Sequence, residues 1–556
     1  MTRAKAGLKR AKPAARRARR RGAARPARNA AAGQKPRRAA PVRAAGRPGA
    51  IRRVLIANRG EIAVRVIRTL RELGITSVAL FSEPDRAALH VLMADEAYPI
   101  GPGPARASYL DLDRVMSTAR RVRADAIHPG YGFFAENPAF ARACESAGIT
   151  FIGPSSATIA ALGDKLAARA AAKRAGVPLI PGSPGPVATL DEARAVAQRI
   201  GWPVMLKAAA GGGGRGMRIV RSAQELEAAW GMTRGEAQAA FADDRVYLER
   251  AIERPRHVEA QILADGRGNV AFLGERECSI QRRHQKLLEE TPSPAFDAKT
   301  RATFGDAACR VAKQVGYASA GTVEFILDET RQFYFLEVNT RLQVEHPVTE
   351  MVTGLDLVAE QLRVAEGDEL SFGDTPPEPR GWSMEARVIA EDPARNFIPS
   401  VGVIERVQFP QGPGVRNDSG IYRGYEVPVF YDSLLAKLVV WGADREQARR
   451  RLVRALDEFV LEGPKHNLAF HAWLALHPEF AAGNLSTRFL EEHWRPASLE
   501  PGPEAANAAL LAAALHERAE RQRVQVGGRE DGAGGASAWK WAGRGAPARS
   551  VGRDRR

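Results

Sequence analysis

The segment 321–350, GTVEFILDETRQFYFLEVNTRLQVEHPVTE, constrains the fold of this 556-residue chain more than any other. Two apolar runs, TVEFIL and FYFLEVN, flank the polar DETRQ, which predicts a β-hairpin. Glu324 and Glu337 lie inside those runs and would face each other across the hairpin. Two buried carboxylates need nearby positive charge, because burial disfavours their ionised forms. A divalent cation provides it, because Mg²⁺ binds one or two protein carboxylates together with substrate phosphate oxygens.

Polar residues continue at every second position after the second run, namely Glu337, Asn339, Arg341, Gln343 and Glu345. His346 precedes Pro347, which favours an extended chain at this point. If the chain stays extended, all five side chains point to the same side. An exposed strand face is the alternative interpretation, but it leaves Glu324 within VEFIL unexplained. The segment therefore predicts a metal–phosphate site.

A glycine-rich loop follows another predicted strand, in AAAGGGGRGMRIV at residues 208–220. Gly211, Gly213 and Gly216 match G-x-G-x-x-G, but a dinucleotide site requires a helix directly after the loop. GMRIV instead predicts a strand, and the next helix begins with a capping box at Ser222. Such a loop has too much backbone freedom to serve stability. We expect a mobile flap whose N–H groups close over phosphate oxygens, and a plain flexible turn is the alternative.

Basic residues lie in short motifs elsewhere in the chain. Lys207 ends the strand before the glycine loop, Lys165 follows ALGD, and QRRHQK (281–286) contains His284 and Lys286. Each of them alone fits a solvated surface charge. Together with the two candidate Mg²⁺ ligands, they indicate a site for ATP and a second anion.

The net charge of +18 is concentrated at the N-terminus, where residues 1–50 contain 17 Lys and Arg and neither Asp nor Glu. This arm has almost no large apolar residues, so we expect it to be disordered. It could bind nucleic acid or another anionic surface. A dispensable extension is the alternative, and a transit peptide fits less well because the arm lacks Ser.

The remaining chain divides into blocks by pattern. Apolar runs at 54–57, 77–82 and 124–130 alternate with helical periodicity, which predicts a parallel, doubly wound sheet. A second block runs from 165 to 365. The Pro-rich GDTPPEPRG separates it from mixed strands and helices at 382–492. Residues 493–556 form a low-complexity tail with one predicted helix at 505–523.

Cysteine content and hydropathy argue against a zinc site, a disulfide framework and a membrane span. Cys144, Cys278 and Cys309 are far apart in the sequence and form no C-x-x-C pair, so neither a zinc site nor a disulfide framework is expected. This usage fits a reducing, cytoplasmic environment. Apolar runs all fall short of the roughly 18 residues that span a bilayer, so we expect no membrane association.

From about residue 51 to 492 the chain closely resembles biotin carboxylase, the ATP-grasp component of acetyl-CoA carboxylase and related biotin-dependent carboxylases. The resemblance is carried by IANRGEIAVRVIR, HPGYGFFAEN, FIGPSS, GDK, KAAAGGGGRGM, PRHVEAQILAD, ERECSIQRRHQKLLEE and EVNTRLQVEHPVTEMVTG. It implies an α/β and α+β fold in three parts. These are a Rossmann-like N-terminal domain (51–164), an ATP-grasp domain with a mobile glycine-rich lid (165–365) and a mixed C-terminal domain (382–492).

The resemblance also implies roles for individual residues. Phosphates would be bound by Lys165 and Lys207, with Gly213 and Gly214 closing over them. The adenine pocket would be lined by Glu249, Arg250, Ala251 and Ile252, with His257 and His284 nearby. Mg²⁺ or Mn²⁺ would be held by Glu324, Glu337 and Asn339. Bicarbonate would be placed by Lys286, Arg341, Gln343 and Val344, with Glu345 as general base. Arg387 would face the ureido oxygen of biotin, with Tyr131 near the same pocket.

The implied activity is ATP-dependent carboxylation of biotin by bicarbonate through carboxyphosphate. The chain has no A-M-K-M biotin-acceptor motif and no carboxyltransferase region, and AWKW at 538–541 lacks the strands of a biotinyl domain. We therefore expect biotin on a separate carrier protein, separate carboxyltransferase subunits and, by resemblance, a homodimer. The acyl acceptor is left open between acetyl-CoA, as in fatty acid biosynthesis, propionyl-CoA and pyruvate.

Two other functions compete with this interpretation. One is a different ATP-grasp ligase with an amine or thiol acceptor, which QRRHQK and TRLQVEHPVTE count against. The other is nucleic-acid binding through residues 1–50, which does not account for the buried carboxylates.

Overall fold

The computed structural model describes residues 50–209, 216–241, 243–500 and 503–525. The basic arm, Gly213 and Gly214 of the glycine loop, and the tail beyond residue 525 lie outside these ranges. Within the described ranges, no helix is both long enough and apolar enough to cross a membrane.

The first block forms a five-stranded parallel sheet of order β3-β2-β1-β4-β5, flanked by helices. Its elements are β1 (Arg53–Ile56), α1 (Gly60–Glu72), β2 (Thr76–Ser82), α2 (Leu89–Met93), β3 (Glu96–Gly101), α3 (Leu112–Arg121), β4 (Ala126–His128), α4 (Pro138–Ser146), β5 (Thr150–Phe151) and α5 (Ser156–Gly163). The Asn137 side chain accepts a hydrogen bond from the Phe140 N–H and so caps α4. The parallel, doubly wound sheet predicted from alternating apolar runs is confirmed, and it agrees with the Rossmann-like domain that the resemblance implied.

The second block begins with a small antiparallel sheet and continues into a larger one. Its elements are α6 (Lys165–Arg174), α7 (Leu190–Ile200), β6 (Val204–Ala208), β7 (Met217–Val220), α8 (Ala223–Phe241), β8 (Val246–Arg250), β9 (Arg256–Asp265), β10 (Val270–Arg282), β11 (Gln285–Thr291), α9 (Ala298–Gln314), β12 (Ala318–Leu327), β13 (Phe333–Asn339), α10 (His346–Thr353) and α11 (Leu357–Ala365). Strands β6 and β7 pair antiparallel on either side of the glycine loop. The predicted order of strand, loop and strand is therefore confirmed.

The third block adds a helical layer and more strands. Its elements are β14 (Trp382–Ile389), β15 (Glu391–Asp392), β16 (Ile398–Pro399), β17 (Gly402–Val403), β18 (Arg406–Gln408), β19 (Val415–Ser419), β20 (Glu426–Val427), β21 (Leu434–Gly442), α12 (Arg445–Glu458), β22 (Val460–Glu462), α13 (Leu468–Leu476), α14 (Pro478–Ala481), α15 (Phe489–His493) and α16 (Pro503–Gln525). Helix α16 corresponds to the helix predicted at 505–523.

One antiparallel sheet of eight strands spans the second and third blocks, in the order β13-β12-β9-β10-β11-β14-β21-β19. Strand β14 follows the Pro-rich segment and pairs directly with β11, with Leu288 opposite Ala386. GDTPPEPRG therefore connects two parts of one sheet.

The apolar cores are likewise shared between blocks. One core combines Ala88, Leu288 and Met384, and another combines Val54, Leu263 and Leu357. By contrast, the three-stranded sheet β7-β6-β8 and helices α7 and α8 enclose an apolar core of their own. The unit that carries the glycine loop is thus packed separately from the body that carries the rest of the site.

Candidate active site

The hairpin β12–β13 places Glu324 opposite Glu337, as predicted. Glu324 is buried, and its carboxylate contacts the Nε2 of His257 at 2.8 Å, the Nδ2 of Asn339 at 2.7 Å and the Nζ of Lys286 at 3.1 Å. Burial alone would raise the pKa of Glu324, but the charges of Lys286 and His257 outweigh it and hold this pKa well below its usual range. Glu324 is therefore ionised, and its contacts with His257, Lys286 and Asn339 stabilise the charge.

Glu337 has a different environment. It accepts no hydrogen bond from any side chain in the described part of the protein, and burial together with the facing Glu324 raises its pKa. Lys165, the first residue of α6, lies within electrostatic reach of this carboxylate. Two facing carboxylates, one of them without a hydrogen-bond donor, fit a divalent cation bound between the strands.

The predicted extended run from Glu337 to Glu345 is wrong beyond Asn339, where β13 ends. Helix α10 starts at His346, and Pro347 lies in its first turn, where the missing N–H costs no helical hydrogen bond. The side chains still meet. Arg341 donates to the Oε1 of Gln343 at 2.8 Å, and Gln343 donates to the Oε1 of Glu324 at 3.2 Å.

Glu345 lies directly before α10 and is fully buried. Its Oε1 accepts from the Nζ of Lys286 at 2.6 Å, and its Oε2 accepts from the Nη2 of Arg387 at 2.8 Å. Burial opposes ionisation, but Lys286 and Arg387 hold the pKa of Glu345 well below its usual range. The carboxylate is therefore ionised and lies between two cations.

Lys286 joins three carboxylates at one point. Besides Glu345 and Glu324, its Nζ contacts the Oε2 of Glu259 at 2.5 Å. The two-residue turn before β11 consists of Arg283 and His284, both with positive φ, which suits the twist of a β-hairpin. His284 is exposed at this turn, within electrostatic reach of His257 and Lys207.

A second group of predicted residues lies on the small sheet. Lys207, the penultimate residue of β6, is buried and forms an ion pair with Glu249 of β8, which also pairs with Arg169. Ala251 is buried, whereas Arg250 and Ile252 are half-buried. Lys165 lies within electrostatic reach of Lys207. Lys165 and Lys207 are thus close together, and both lie within electrostatic reach of Glu337.

A cavity of about 500 Å³ brings four further predicted residues together. They are Tyr131, Arg341, Val344 and Arg387. The first block supplies one wall with residues 58–62 and 131–133, and the third block supplies another with residues 430–432. The Tyr131 hydroxyl is buried and has no hydrogen-bond partner among the described residues. The Val344 carbonyl accepts a hydrogen bond from the Nζ of Lys437 at 2.8 Å.

Arg387 is held on the cavity wall by two carboxylates. Its Nε donates to the Oε1 of Glu289 at 2.6 Å, and its Nη2 donates to Glu345. Its Nη1 contacts no acceptor in the described ranges, which leaves N–H donors for an oxygen of a bound molecule.

Several buried charged residues beside the site were not predicted from the sequence, namely Glu259, Arg276, Glu289, Glu385 and Lys437. Arg276 donates to Glu259 at 2.5 Å, and Lys437 lies opposite Arg387 on the neighbouring strand. The signal that identified Glu324 was present for three of them, Glu289, Glu385 and Lys437, because LLEE, SMEARV and LLAKLVV each place a charge within an apolar run.

Three family models match the chain in succession. Residues 50–159 match the biotin carboxylase N-terminal domain, residues 164–372 match the ATP-binding domain of the carbamoyl-phosphate synthase L chain, and residues 385–492 match the biotin carboxylase C-terminal domain.

Curated relatives are similar over most of the chain. Biotin carboxylase 1 of Bacillus subtilis is 53% identical over 444 residues, which cover 80% of this chain and 99% of that protein. The propionyl-CoA carboxylase alpha chain of Ruegeria pomeroyi is 47% identical and covers 86% of this chain and 74% of its own length. A pyruvate carboxylase subunit from Methanothermobacter thermautotrophicus is 51% identical, over 80% of this chain and 90% of its own.

Solved structures agree with this relationship. The biotin carboxylase domain of Hydrogenobacter thermophilus 2-oxoglutarate carboxylase, a dimer in complex with MgADP, ADP and bicarbonate, aligns with a TM-score of 0.79 at 48% identity, over 82% of this chain and 99% of that one. Campylobacter jejuni biotin carboxylase, in a β,γ-ATP complex, aligns with a TM-score of 0.78 at 45% identity, over 80% and 99%. The chain belongs to the biotin carboxylase family.

Proposed function

We propose that this chain carboxylates biotin with bicarbonate and converts ATP to ADP and phosphate in the same reaction. One observation carries the proposal. Glu345, Lys286 and Arg387 form a single ion-paired group that joins the hairpin carboxylates to a cavity large enough for a small ring system. The related proteins with bound MgADP, bicarbonate and a β,γ-ATP ligand support the same assignment.

The nucleotide would lie between the small sheet and the hairpin. Glu324, Glu337 and Asn339 would hold Mg²⁺ or Mn²⁺, which neutralises negative charge that develops on the phosphates. Lys165 and Lys207 would contact phosphate oxygens, under the loop that contains Gly213 and Gly214. Adenine would lie against Glu249, Arg250, Ala251 and Ile252, with His257 and His284 at its edge.

Bicarbonate would lie against Lys286, Arg341, Gln343 and the Val344 backbone. When Lys286 turns from Glu345 to the substrate, it withdraws one of the cations that depress the pKa of Glu345. The carboxylate then becomes a stronger base where bicarbonate presents its proton.

The chemistry proceeds in two stages. Glu345 takes the proton of bicarbonate, and the resulting oxyanion attacks the γ-phosphorus, so that ADP leaves and carboxyphosphate forms. Carboxyphosphate breaks into CO₂ and phosphate, and the phosphate takes the N1 proton of biotin. Arg387 donates to the ureido oxygen and stabilises its negative charge, and N1 then attacks CO₂. A closed lid would keep water away from carboxyphosphate.

We infer the partners from chemistry and resemblance. A separate carrier protein would present biotin, and separate carboxyltransferase subunits would use the product. The dimeric structure of the related Hydrogenobacter domain supports a homodimer. Relatives that act in propionyl-CoA and pyruvate carboxylases are about equally similar, so acetyl-CoA, propionyl-CoA and pyruvate stay open as acceptors. The cytoplasmic location suggested by cysteine usage stays a prediction.

The proposal is tested by ADP release from the purified chain with ATP, Mg²⁺, bicarbonate and free D-biotin. We expect the rate to require both bicarbonate and biotin. Glu345→Gln should lower it by at least about 100-fold while ADP affinity stays within about threefold, because Glu345 acts on bicarbonate and not on the nucleotide. ADP release that needs an amine or a thiol would instead identify a different ATP-grasp ligase.

A further inference from the structure

Beside Arg387, two buried carboxylates, Glu289 and Glu385, lie opposite each other on neighbouring strands. We propose that Glu289 is a positioning residue that aims the Arg387 guanidinium into the cavity, and that Glu289 and Glu385 together carry a single negative charge. The inference rests on the proposed function, since Arg387 is the residue assigned there to the ureido oxygen of biotin.

The sheet register brings the three side chains to one face. Glu289 of β11 lies opposite Glu385 of β14, and Arg387 follows Glu385 by two residues on the same strand. Glu289 and Glu385 are both fully buried. The Nε and Nη2 of Arg387 both contact the Oε1 of Glu289, which fixes the plane of the guanidinium.

Three carboxylate oxygens of this pair lack a hydrogen-bond donor among the described residues, which supports a proton on the pair. The Oε2 of Glu289 and both carboxylate oxygens of Glu385 are buried without a hydrogen-bond partner among the described residues. Two ionised carboxylates left this way would be very costly, and a proton on one of them removes one of the two buried charges.

The charged residues around Glu289 and Glu385 are consistent with a proton on this pair. Arg387, Glu345 and Lys286 face Glu289, and Lys437, Arg387 and Glu345 face Glu385. Burial is the largest influence on both groups. It raises the pKa of Glu289 to about 7 and that of Glu385 well above its usual range, despite the neighbouring cations.

The protonation of this pair determines how much positive charge Arg387 presents to a ligand in the cavity. Three ionised carboxylates at Glu289, Glu385 and Glu345 would cancel the cationic field of Arg387 at the cavity. With one proton on the pair, Arg387 keeps its Nη1 donors and more of its positive charge for an oxyanion.

A double-mutant cycle tests the positioning role. In the otherwise unchanged chain, Glu289→Ala should lower kcat/KM for free D-biotin by about 30-fold, because the guanidinium loses its anchor. In an Arg387→Met background the same change should alter kcat/KM by less than about threefold, since no guanidinium remains to be positioned. Equal losses in both backgrounds would overturn the proposal.

Conservative variants test the charge count. Glu289→Gln keeps an acceptor for Arg387, and Glu385→Gln resembles a protonated carboxyl, so we expect each to retain kcat/KM within about threefold. A Glu289→Gln variant as impaired as Glu289→Ala would overturn the positioning role, because the amide oxygen still accepts from Arg387. A loss of more than about tenfold in Glu385→Gln would show that Glu385 is ionised.

The thermal stability of Glu289→Gln gives a readout independent of activity. The raised pKa means that the folded chain keeps a proton that the unfolded chain releases above 4.5, so this group lowers stability as pH rises from 4.5 to about 7. Glu289→Gln should flatten the decline of the melting temperature in that window. An unchanged slope would contradict the proton count, in which the pair holds two protons below about pH 7 and one proton above it. If the unmodified chain shows no biotin-dependent ADP release, the proposed function fails instead.

Discussion

At the scale of single residues, the site combines carboxylates with opposite environments. Glu324 is supported by His257, Lys286 and Asn339, whereas the facing Glu337 has no hydrogen-bond donor among the described residues. The donors around Glu324 stabilise its buried negative charge. The charge of Glu337 has no such donors, and the proposed cation would neutralise it. Removal of each carboxylate should therefore have a different effect on folding and on metal binding.

Replacing Glu337 by glutamine should raise the Mg²⁺ concentration needed for half-maximal ADP release by at least about tenfold. Without Mg²⁺, the same change should leave the melting temperature equal or higher, because it removes an unsupported charge. Glu324→Gln is the matched control. It should lower the free energy of unfolding by about 1–3 kcal/mol, because it weakens charge-assisted hydrogen bonds to His257 and Lys286. A Glu337→Gln variant that is as destabilised as Glu324→Gln would contradict this contrast.

Sequence patterns predicted residues inside one short segment better than residues that meet across the sheet. Glu324 and Glu337 could be paired because one hairpin connects them. The contact between Glu289 and Arg387 joins residues 98 positions apart, and it depends on the register between β11 and β14. No local pattern specifies that register, because it follows from packing of the whole sheet.

At the scale of elements, periodicity predicted the first strands of the parallel sheet, the strands on either side of the glycine loop and the β12–β13 hairpin, but not the start of α10. Alternating polar residues after β13 predicted an extended chain, and the helix overrides them because Pro347 is well placed in a first turn. The helix ends at Thr353, and Gly354 directly after it caps the helix with a φ of 76°. Both ends of this short helix thus depend on residues with restricted or unusual backbone conformations.

Gly354→Ala should lower the free energy of unfolding by about 1 kcal/mol. A methyl group at this position meets no atom within 4 Å, so the cost comes from the left-handed backbone alone. Gly235→Ala is the matched control, since Gly235 is exposed within α8 and also has open space around it. There alanine should stabilise by up to about 1 kcal/mol through helix propensity. Chemical denaturation measures both variants, and changes of the same sign would contradict this explanation.

At the scale of the whole molecule, the second and third blocks are one folded body. Strand β14 lies between β11 and β21, and apolar cores cross the boundary that the Pro-rich segment suggested. Composition predicted a linker there, because proline and glycine are common both in linkers and in connections within a sheet. The small sheet has an apolar core of its own, so we propose it as the unit that moves as a lid.

Truncation tests this architecture. A chain of residues 50–380 lacks β14, β19 and β21, which leaves β11 as an unpaired edge and exposes the apolar core around Leu288. We expect this shortened chain to show no cooperative thermal transition by calorimetry, while the full chain shows one. Cooperative melting of the truncated chain near the temperature of the full chain would contradict a shared body.

The transfer of label from radioactive bicarbonate to free D-biotin tests the central claim most directly. With ATP and Mg²⁺ present, we expect carboxybiotin to form in step with ADP, and to be absent when ATP is omitted or when Glu345 is replaced by glutamine. ADP release without label on biotin, or label transfer that persists in Glu345→Gln, would contradict the account.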